Sequence, residues 1–251
     1  MRLEHHSWIQ IQEYFEKKDI VILPLGSVEN HGSHLGLGTD FIIPDKIIDL
    51  LESKVDILSI PVMPFGMADH HMNFPGTISI GHDGLFVIMT KITDQLFNYG
   101  ARKIIFLNGH GGNTPVLNRI ALNMNKKGAI CAIIDWWTLA GQIDPNWKGG
   151  HAGAQETSAM LYINPDYVHM DYAKEFHAQN LSDELVYAVA NEVLCNGIPI
   201  SVPRSVEKLS TSGWYGTDNI KTATAEWGKE MLESTVDYIA DFILKFEKVK
   251  L

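Results

Sequence analysis

Acidic and imidazole side chains lie close together in one glycine-rich segment near the N-terminus. In 24-PLGSVENHGSHLGLGTD-40, Glu29 and His31 are two residues apart and Asp40 follows nine residues later. Carboxylate oxygens with imidazole nitrogens favour Zn, Mn or Fe over the all-oxygen shells of Ca and Mg, and a carboxylate can bridge two cations. We expect the glycines to adopt backbone conformations closed to other residues, which would turn these side chains inward. The segment predicts a metal site, and the alternative is an ordinary Gly-rich loop.

A second loop of the same kind is 107-LNGHGGN-113. His110 stands among three glycines at the end of a predicted strand, and a helix is expected from about Thr114. A single histidine at a strand end is more often a core residue than a ligand. Together with the first loop, however, its position predicts that His110 joins the metal site.

A third polar cluster is 149-GGHAGAQETSAML-161, where His151 precedes Glu156 by five residues and a helical pattern starts near Ala154. Both side chains could face one pocket. Glu156 could instead stabilise the first turn of the helix through its dipole. We predict surface or structural roles for the histidines that lack a glycine-rich context, at positions 5, 6, 70, 71, 82, 169 and 177.

The elements that must position these loops alternate along the chain. Short apolar runs bounded by Gly, Pro or Asn predict buried parallel strands over 20–26, 56–66, 103–109 and 129–137. Helical spacing indicates helices over 85–96 and 232–246, and Pro44 suits the first turn of a helix within 42–54.

This alternation predicts one α/β domain over residues 1–251, a three-layer sandwich with a mainly parallel central sheet flanked by helices. Ligands of such folds bind outside the carboxyl ends of the strands. Two of the polar loops, 26–40 and 108–114, follow predicted strands directly. The predicted fold and the predicted chemistry therefore agree.

Composition narrows the classes of partner. The net charge of −10 disfavours nucleic acid and anionic membrane surfaces, and no apolar run is long enough to span a bilayer. Only two cysteines occur, and no signal-peptide pattern opens the chain. We therefore expect a cytoplasmic protein that acts on a small molecule.

Five motifs in order identify a resemblance to the creatininase (creatinine amidohydrolase) family. They are PLGSVENHGSHLGLGTD, FPGTISI, NGHGGN, HAGAQETS and TATAEWG, and the resemblance covers roughly residues 15–245. It implies an α/β fold, hydrolysis of cyclic or linear amides, two divalent metal ions (Zn, Mn or Fe) and a homo-oligomer, commonly a hexamer assembled from dimers.

The resemblance also implies roles for single residues. Glu29 and His110 would hold one metal ion, His31 the other, and Asp40 would bridge the two. Creatininase itself has Tyr and a ligating Glu after the motif histidine, where this chain has Gly111 and Gly112. We therefore propose Glu156 as the replacement ligand, with a solvent or substrate oxygen as the alternative.

The remaining predictions concern proton transfer and substrate binding. His151 is predicted to be the general acid and base, and the predicted substrate-binding residues are Trp147, Lys148, Gly111 and Thr77. Creatininase has an acidic residue where Lys148 stands, so creatinine is not the expected substrate. Alternatives on the same site are a formamide deformylase, a peptidase and a hydrolase of a C–C bond in a keto-inositol ring. A metal-stabilised ligand-binding protein is the non-enzymatic alternative.

Overall fold

The computed structural model describes residues 1–216 and 218–251. Four strands form a parallel sheet, and they are β1 (Ile20–Leu25), β2 (Leu58–Ser59), β3 (Lys103–Asn108) and β4 (Ile130–Asp135). Their order across the sheet is β2, β1, β3, β4. The α-helices of the described residues are α1 (Trp8–Phe15), α2 (Thr39–Leu51), α3 (Gly81–Tyr99), α4 (Thr114–Lys126), α5 (Trp136–Ile143), α6 (Ala154–Ile163) and α7 (Ala225–Phe246).

Apolar side chains on both faces explain why the sheet is central. On β1, Ile20 and Ile22 enter one hydrophobic core, whereas Val21 enters a second core on the opposite face. Helices α2, α5, α6 and α7 contribute to the first core, and α1, α3 and α4 contribute to the second. Strands buried on both faces are expected to be uniformly apolar, so the structure confirms the predicted α/β class with a mainly parallel sheet between helices.

The predicted strand over 56–66 is largely wrong. Only the two residues of β2 pair regularly with β1, and Met63 makes one further isolated bridge to Leu25. Pro61 and Pro64 lie in this run, and proline has no N–H to donate to a neighbouring strand. The apolar character of the run therefore does not produce a continuous strand.

Helix α2 begins earlier than the sequence pattern indicated. It starts at Thr39, so Pro44 lies inside the helix and not in its first turn. Because Pro44 has no N–H, the carbonyl of Asp40 loses its usual helical hydrogen bond. The earlier start has a functional consequence, since it places Asp40 in the first helical turn.

A second sheet was not predicted. Strands β5 (Leu185–Tyr187), β6 (Glu192–Cys195) and β7 (Ile198–Ser201) form an antiparallel meander. Asn196 and Gly197 form the turn between β6 and β7 with φ values of 51° and 80°. An Asn-Gly pair between short apolar runs is a strong hairpin signal, so this element was detectable from the sequence.

Arg2 anchors the first residues to α2. Its buried guanidinium donates to Asp45 Oδ1 at 2.8 Å and to Asp49 Oδ1 at 2.5 Å. We expect Arg2→Met to lower the free energy of unfolding by about 1–3 kcal/mol, because the methionine keeps the packed volume but loses charged hydrogen bonds. Urea denaturation measures the change, and Lys54→Met, which removes the more exposed ion pair to Asp237, is the control. Equal destabilisation by both variants would contradict the prediction.

Candidate metal centre

The carboxyl ends of the parallel strands carry most of the polar side chains singled out in the sequence. Glu29 and His31 lie in the loop after β1, and Asp40 lies in the first turn of α2. His110 follows β3, and Glu156 is in the first turn of α6. All five residues are buried. The structure therefore brings them together at the edge of the sheet where parallel α/β folds bind ligands.

Asp40 is at the centre of the group. His31 Nε2 lies 2.7 Å from Asp40 Oδ1, and His110 Nδ1 lies 2.9 Å from Asp40 Oδ2. His110 Nδ1 is also 3.1 Å from Glu29 Oε2. Each oxygen of the Asp40 carboxylate thus faces a different imidazole, which is the arrangement expected of a carboxylate that is shared between two positions.

Glu156 and His151 close the group on the α6 side. Glu156 Oε2 is 3.7 Å from His31 Nε2 and accepts the backbone N–H of Ala152 at 2.6 Å. His151 Nδ1 is 3.8 Å from Glu29 Oε1. The carboxylate of Glu156 therefore faces both the imidazole of His31 and the start of its own helix.

Main-chain carbonyls fix the outer nitrogens of the two imidazoles beside Asp40. His110 Nε2 lies 2.8 Å from the carbonyl oxygen of Met67, and His31 Nδ1 lies 3.2 Å from that of Glu29. A carbonyl can only accept, so these nitrogens carry the protons. The other nitrogen of each ring then turns its lone pair, or a second proton, toward the carboxylates.

His151 follows the same pattern. Its Nε2 donates to the carbonyl of Asn30 at 2.8 Å, which leaves Nδ1 toward Glu29. Asn30 is itself held by two contacts, because its backbone N–H donates to Thr77 Oγ1 and its side-chain amide donates to the carbonyl of Gly213. The ring orientation of His151 is therefore fixed from outside the group.

The buried carboxylate oxygens of Glu29 and Asp40 need a cation between them. Both carboxylate oxygens of Glu29 and Oδ2 of Asp40 are buried and have no hydrogen bond of good geometry among the described residues. Three sets of donor atoms lie close enough to hold a metal ion: Glu29 with His31 and His151, Glu29 with Asp40 and His110, and His31 with Asp40 and Glu156. The donor set fits a divalent ion that accepts nitrogen and oxygen.

The pKa shifts of the two histidines beside Asp40 also indicate that this group favours positive charge. Burial alone would lower the pKa of His31, but Asp40 raises it to about 10. Burial likewise opposes protonation of His110, yet Glu29 and Asp40 hold the pKa of its imidazole well above the usual range. The buried carboxylates thus favour positive charge on the neighbouring imidazoles, and a bound metal ion would supply such charge instead.

In two other groups burial dominates and favours the neutral form of the side chain. Burial raises the pKa of the Glu156 carboxyl to about 7. Burial, together with the nearby charge of His31, places the pKa of His151 well below its usual range. His151 is therefore neutral at pH 7, with an unprotonated Nδ1 that can accept a proton.

Two glycines allow the Asp40 main chain to reach the sheet. A Cβ on Gly109 would lie 1.8 Å from the carbonyl oxygen of Asp40, and a Cβ on Gly26 would lie 2.1 Å from it. Among the glycines of the first loop, only Gly32 has a positive φ, of 64°. The expectation of unusual backbone conformations is therefore confirmed at Gly32 and wrong at Gly26, Gly36 and Gly38. At Gly26 close approach is the reason for glycine.

A cavity of about 770 Å³ opens onto the group. Gly111 lines it together with Glu29, Asp40, His110, His151 and Glu156. The other predicted substrate contacts are not among the residues that line it. Trp147 is buried in the first core, Lys148 is exposed beside Gly141, and Thr77 Oγ1 accepts the backbone N–H of Asn30. The structure therefore supports a substrate-facing position for Gly111 alone among those four residues.

Sequence reasoning missed several residues of the centre. His71 is buried with Nε2 3.3 Å from Glu29 Oε1, and His70 stacks on His110 with ring centroids 5.6 Å apart. Tyr215 stacks on His151 at 4.9 Å. The paired histidines lie just before the FPGTISI motif, separated from it by Met72 and Asn73, which is a usable signal. Nothing near Tyr215 in the sequence pointed to the site.

Comparison with known proteins identifies the family of this chain. Residues 4–243 match the family model described as creatinine amidohydrolase. The mycofactocin precursor peptide peptidase of Mycolicibacterium smegmatis is 30% identical over 234 residues, covering 91% of this chain and 85% of that protein. The 3-dehydro-scyllo-inosose hydrolase of Thermotoga maritima is 26% identical over 254 residues, covering 93% and 79%. A solved structure described as creatininase with Mn superposes with a TM-score of 0.80 at 22% identity and 99% coverage of both chains, which concerns the fold. The chain therefore belongs to the creatinine amidohydrolase family and is a hydrolytic enzyme.

Proposed function

We propose that this chain is a metal-dependent amidohydrolase that cleaves a C–N amide bond of a small molecule at a two-metal site. The observation that carries the proposal is the set of three imidazoles, each with one nitrogen fixed by a main-chain carbonyl and the other facing buried carboxylates. Metal-ligating histidines characteristically have this second hydrogen bond. The creatininase whose description names Mn supports the same class of cofactor.

The ligands divide between two positions. Glu29 and His110 would hold one ion, His31 and Glu156 the other, and Asp40 would belong to both, because it is shared by two of the donor sets. Two divalent ions would supply the charge that lowers the pKa of a water molecule and polarises the scissile carbonyl. Zn, Mn and Fe suit these ligands.

His151 is the proposed proton carrier. Its neutral Nδ1 faces the centre, while Nε2 remains bound to the Asn30 carbonyl. Nδ1 takes one proton from the attacking water and gives it to the leaving nitrogen as the C–N bond breaks. The products are then a carboxylic acid and an amine, with no redox partner required.

The cavity favours a small substrate over a large one. Its volume of about 770 Å³ is within the range of small-molecule sites. A short peptide would also fit, and the peptide peptidase among the relatives favours that second candidate.

We further propose that the protein is a homo-oligomer, a hexamer built from dimers, acting on a soluble small molecule. No helix within the described residues has the length and hydropathy needed to cross a bilayer.

Metal reconstitution with a substrate panel tests this function. Chelator-treated protein should be inactive, and stepwise addition of Zn, Mn or Fe(II) should restore hydrolysis up to two equivalents per chain. The panel comprises lactams, formamides, short peptides and cyclic ketones. Release of an amine from at least one amide class supports the proposal. Turnover of cyclic ketones alone, or hydrolysis by the metal-free protein, would refute it.

A further inference from the structure

The cavity has a second wall that lies away from the metal ligands. Residues Val189, Ala190 and Asn191 before β6, with Pro203, Arg204 and Ser205 after β7, line it, and we call these six residues the roof. Among the described residues that line the cavity, Arg204 is the only lysine or arginine, and the acidic ones are Glu29, Asp40, Asp69 and Glu156.

The guanidinium of Arg204 has unused donors. Its Nε and Nη2 atoms are buried and make no hydrogen bond to any described residue. Nη1 reaches only the carbonyl of Gln179, at 3.5 Å. No carboxylate of the described residues forms an ion pair with it. A buried charge without a partner is unfavourable, so the group favours an anion supplied from outside the chain.

Neighbouring contacts hold Arg204 in place. Its backbone N–H donates to Asn191 Oδ1 at 3.4 Å, and the N–H of Val202 donates to the Asn191 carbonyl at 2.6 Å. On the other side, the N–H of Ala190 donates to Tyr187 Oη at 3.0 Å, and Ala190 has a positive φ of 46°. The two backbone segments of the roof are thus tied together, so a ligand would meet an arginine whose main chain is already fixed.

The roof is close to the metal centre. The turn Val206–Lys208, which follows directly on Arg204 and Ser205, packs against the turn Asp69–His71. His71 in turn contacts Glu29. A small molecule in the cavity can therefore touch both Arg204 and the proposed metal ligands.

We propose that Arg204 binds an oxyanion of the substrate, a carboxylate or a phosphate, while the scissile amide lies at the metal centre. Nε and Nη2 form one edge of the guanidinium, and this edge matches two oxygens of either group in a bidentate pair. The inference rests on the proposed function and deepens it: the substrate class becomes amides that carry an anionic group.

Matched ligands provide the test. The probes are N-formylglycine, its uncharged amide N-formylglycinamide and the phosphonate analogue N-formylaminomethylphosphonate. Their equilibrium binding to the metal-loaded wild-type protein is measured by calorimetry. At least one anionic probe is expected to bind about tenfold more tightly than the uncharged amide, which corresponds to one charged hydrogen-bonded pair. Preference for the glycine derivative assigns a carboxylate, and preference for the phosphonate assigns a phosphate.

Variants separate Arg204 from the metal ions as the source of this preference. Arg204→Gln should bring the anionic and uncharged probes to within about twofold, and Arg204→Lys should retain part of the preference, because it keeps the charge without the bidentate fork. Arg119→Gln is the control, since Arg119 lies over the Phe86 ring outside the cavity. Metal content and melting temperature are measured for each variant.

The outcomes distinguish this inference from the proposed function. Failure of every anionic probe to bind the wild-type protein, no preference for them, or an unchanged preference in Arg204→Gln would overturn it. If Arg204→Gln does not fold, a preference in folded Arg204→Lys that is weaker than in wild type supports it, and full retention overturns it. Absence of hydrolysis of any amide would instead count against the proposed function, because binding to Arg204 needs no turnover.

Discussion

Asp40→Asn is expected to abolish the paired metal site and to lower hydrolysis by about 10³-fold or more. The substitution keeps the shape of the side chain but removes the charge that two imidazoles face at 2.7 and 2.9 Å. Losing several kcal/mol of charge stabilisation in the transition state corresponds to this factor. Elemental analysis should find fewer than two ions per chain.

Thermal unfolding gives an independent measure of the Asp40 variant. Ligands that bind the folded state raise the melting temperature, so added metal should stabilise wild type more than Asp40→Asn. The matched control is Asp45→Asn, which removes a carboxylate from the same helix at its contact with Arg2. Two bound ions and undiminished turnover in Asp40→Asn would show that Asp40 is not the shared ligand.

His151→Ala is expected to leave metal content unchanged while lowering turnover by about 10²–10⁴-fold, the range for general acid and base catalysis. The physical reason is the neutral imidazole, whose Nδ1 faces the centre and whose Nε2 is bound to Asn30. The measurement is kcat on an amide that the reconstituted enzyme hydrolyses, with metal content determined on the same sample.

A second variant separates proton transfer from positioning. His151→Gln can retain the donor to the Asn30 carbonyl, but its amide cannot accept and return a proton. We expect it to be as slow as the alanine variant, whereas added imidazole should partly restore His151→Ala. Recovery of turnover by the glutamine would assign His151 a structural role. Loss of metal from either variant would place it among the ligands, as one donor set allows.

The parallel sheet, and the meeting of Glu29, His31 and His110 at one of its edges, could be predicted because both depend on local patterns. Buried parallel strands leave continuous apolar runs, and polar residues directly after such runs must meet at one edge. Asp40 shows the limit of this reasoning. Its position depends on a helix that starts at Thr39 and on two glycines that leave room for its carbonyl oxygen. Neither the helix start nor this close approach can be read from the spacing of residues in the sequence.

Site residues that lie far along the chain from the two glycine-rich loops were harder to predict. His71 was interpreted as a surface or structural residue, yet the turn before the FPGTISI motif carries it to Glu29. Arg204 and Tyr215 belong to a region without helical or strand periodicity over most of its length. Trp147, which is predicted to contact substrate, packs in the core and is not among the described residues that line the cavity. Only tertiary contacts decide such cases.

The separation of the roof from the metal ligands has a consequence for how such enzymes diversify. The ligands stand on the parallel sheet and its helices, whereas the roof is carried by the small antiparallel sheet of β5, β6 and β7. Mutations in that meander can reshape the ligand cavity while the strands and helices that carry the proposed ligands keep their sequence. One inherited reaction centre could therefore acquire new substrates through changes in this small sheet, which accords with relatives that bear different substrate names.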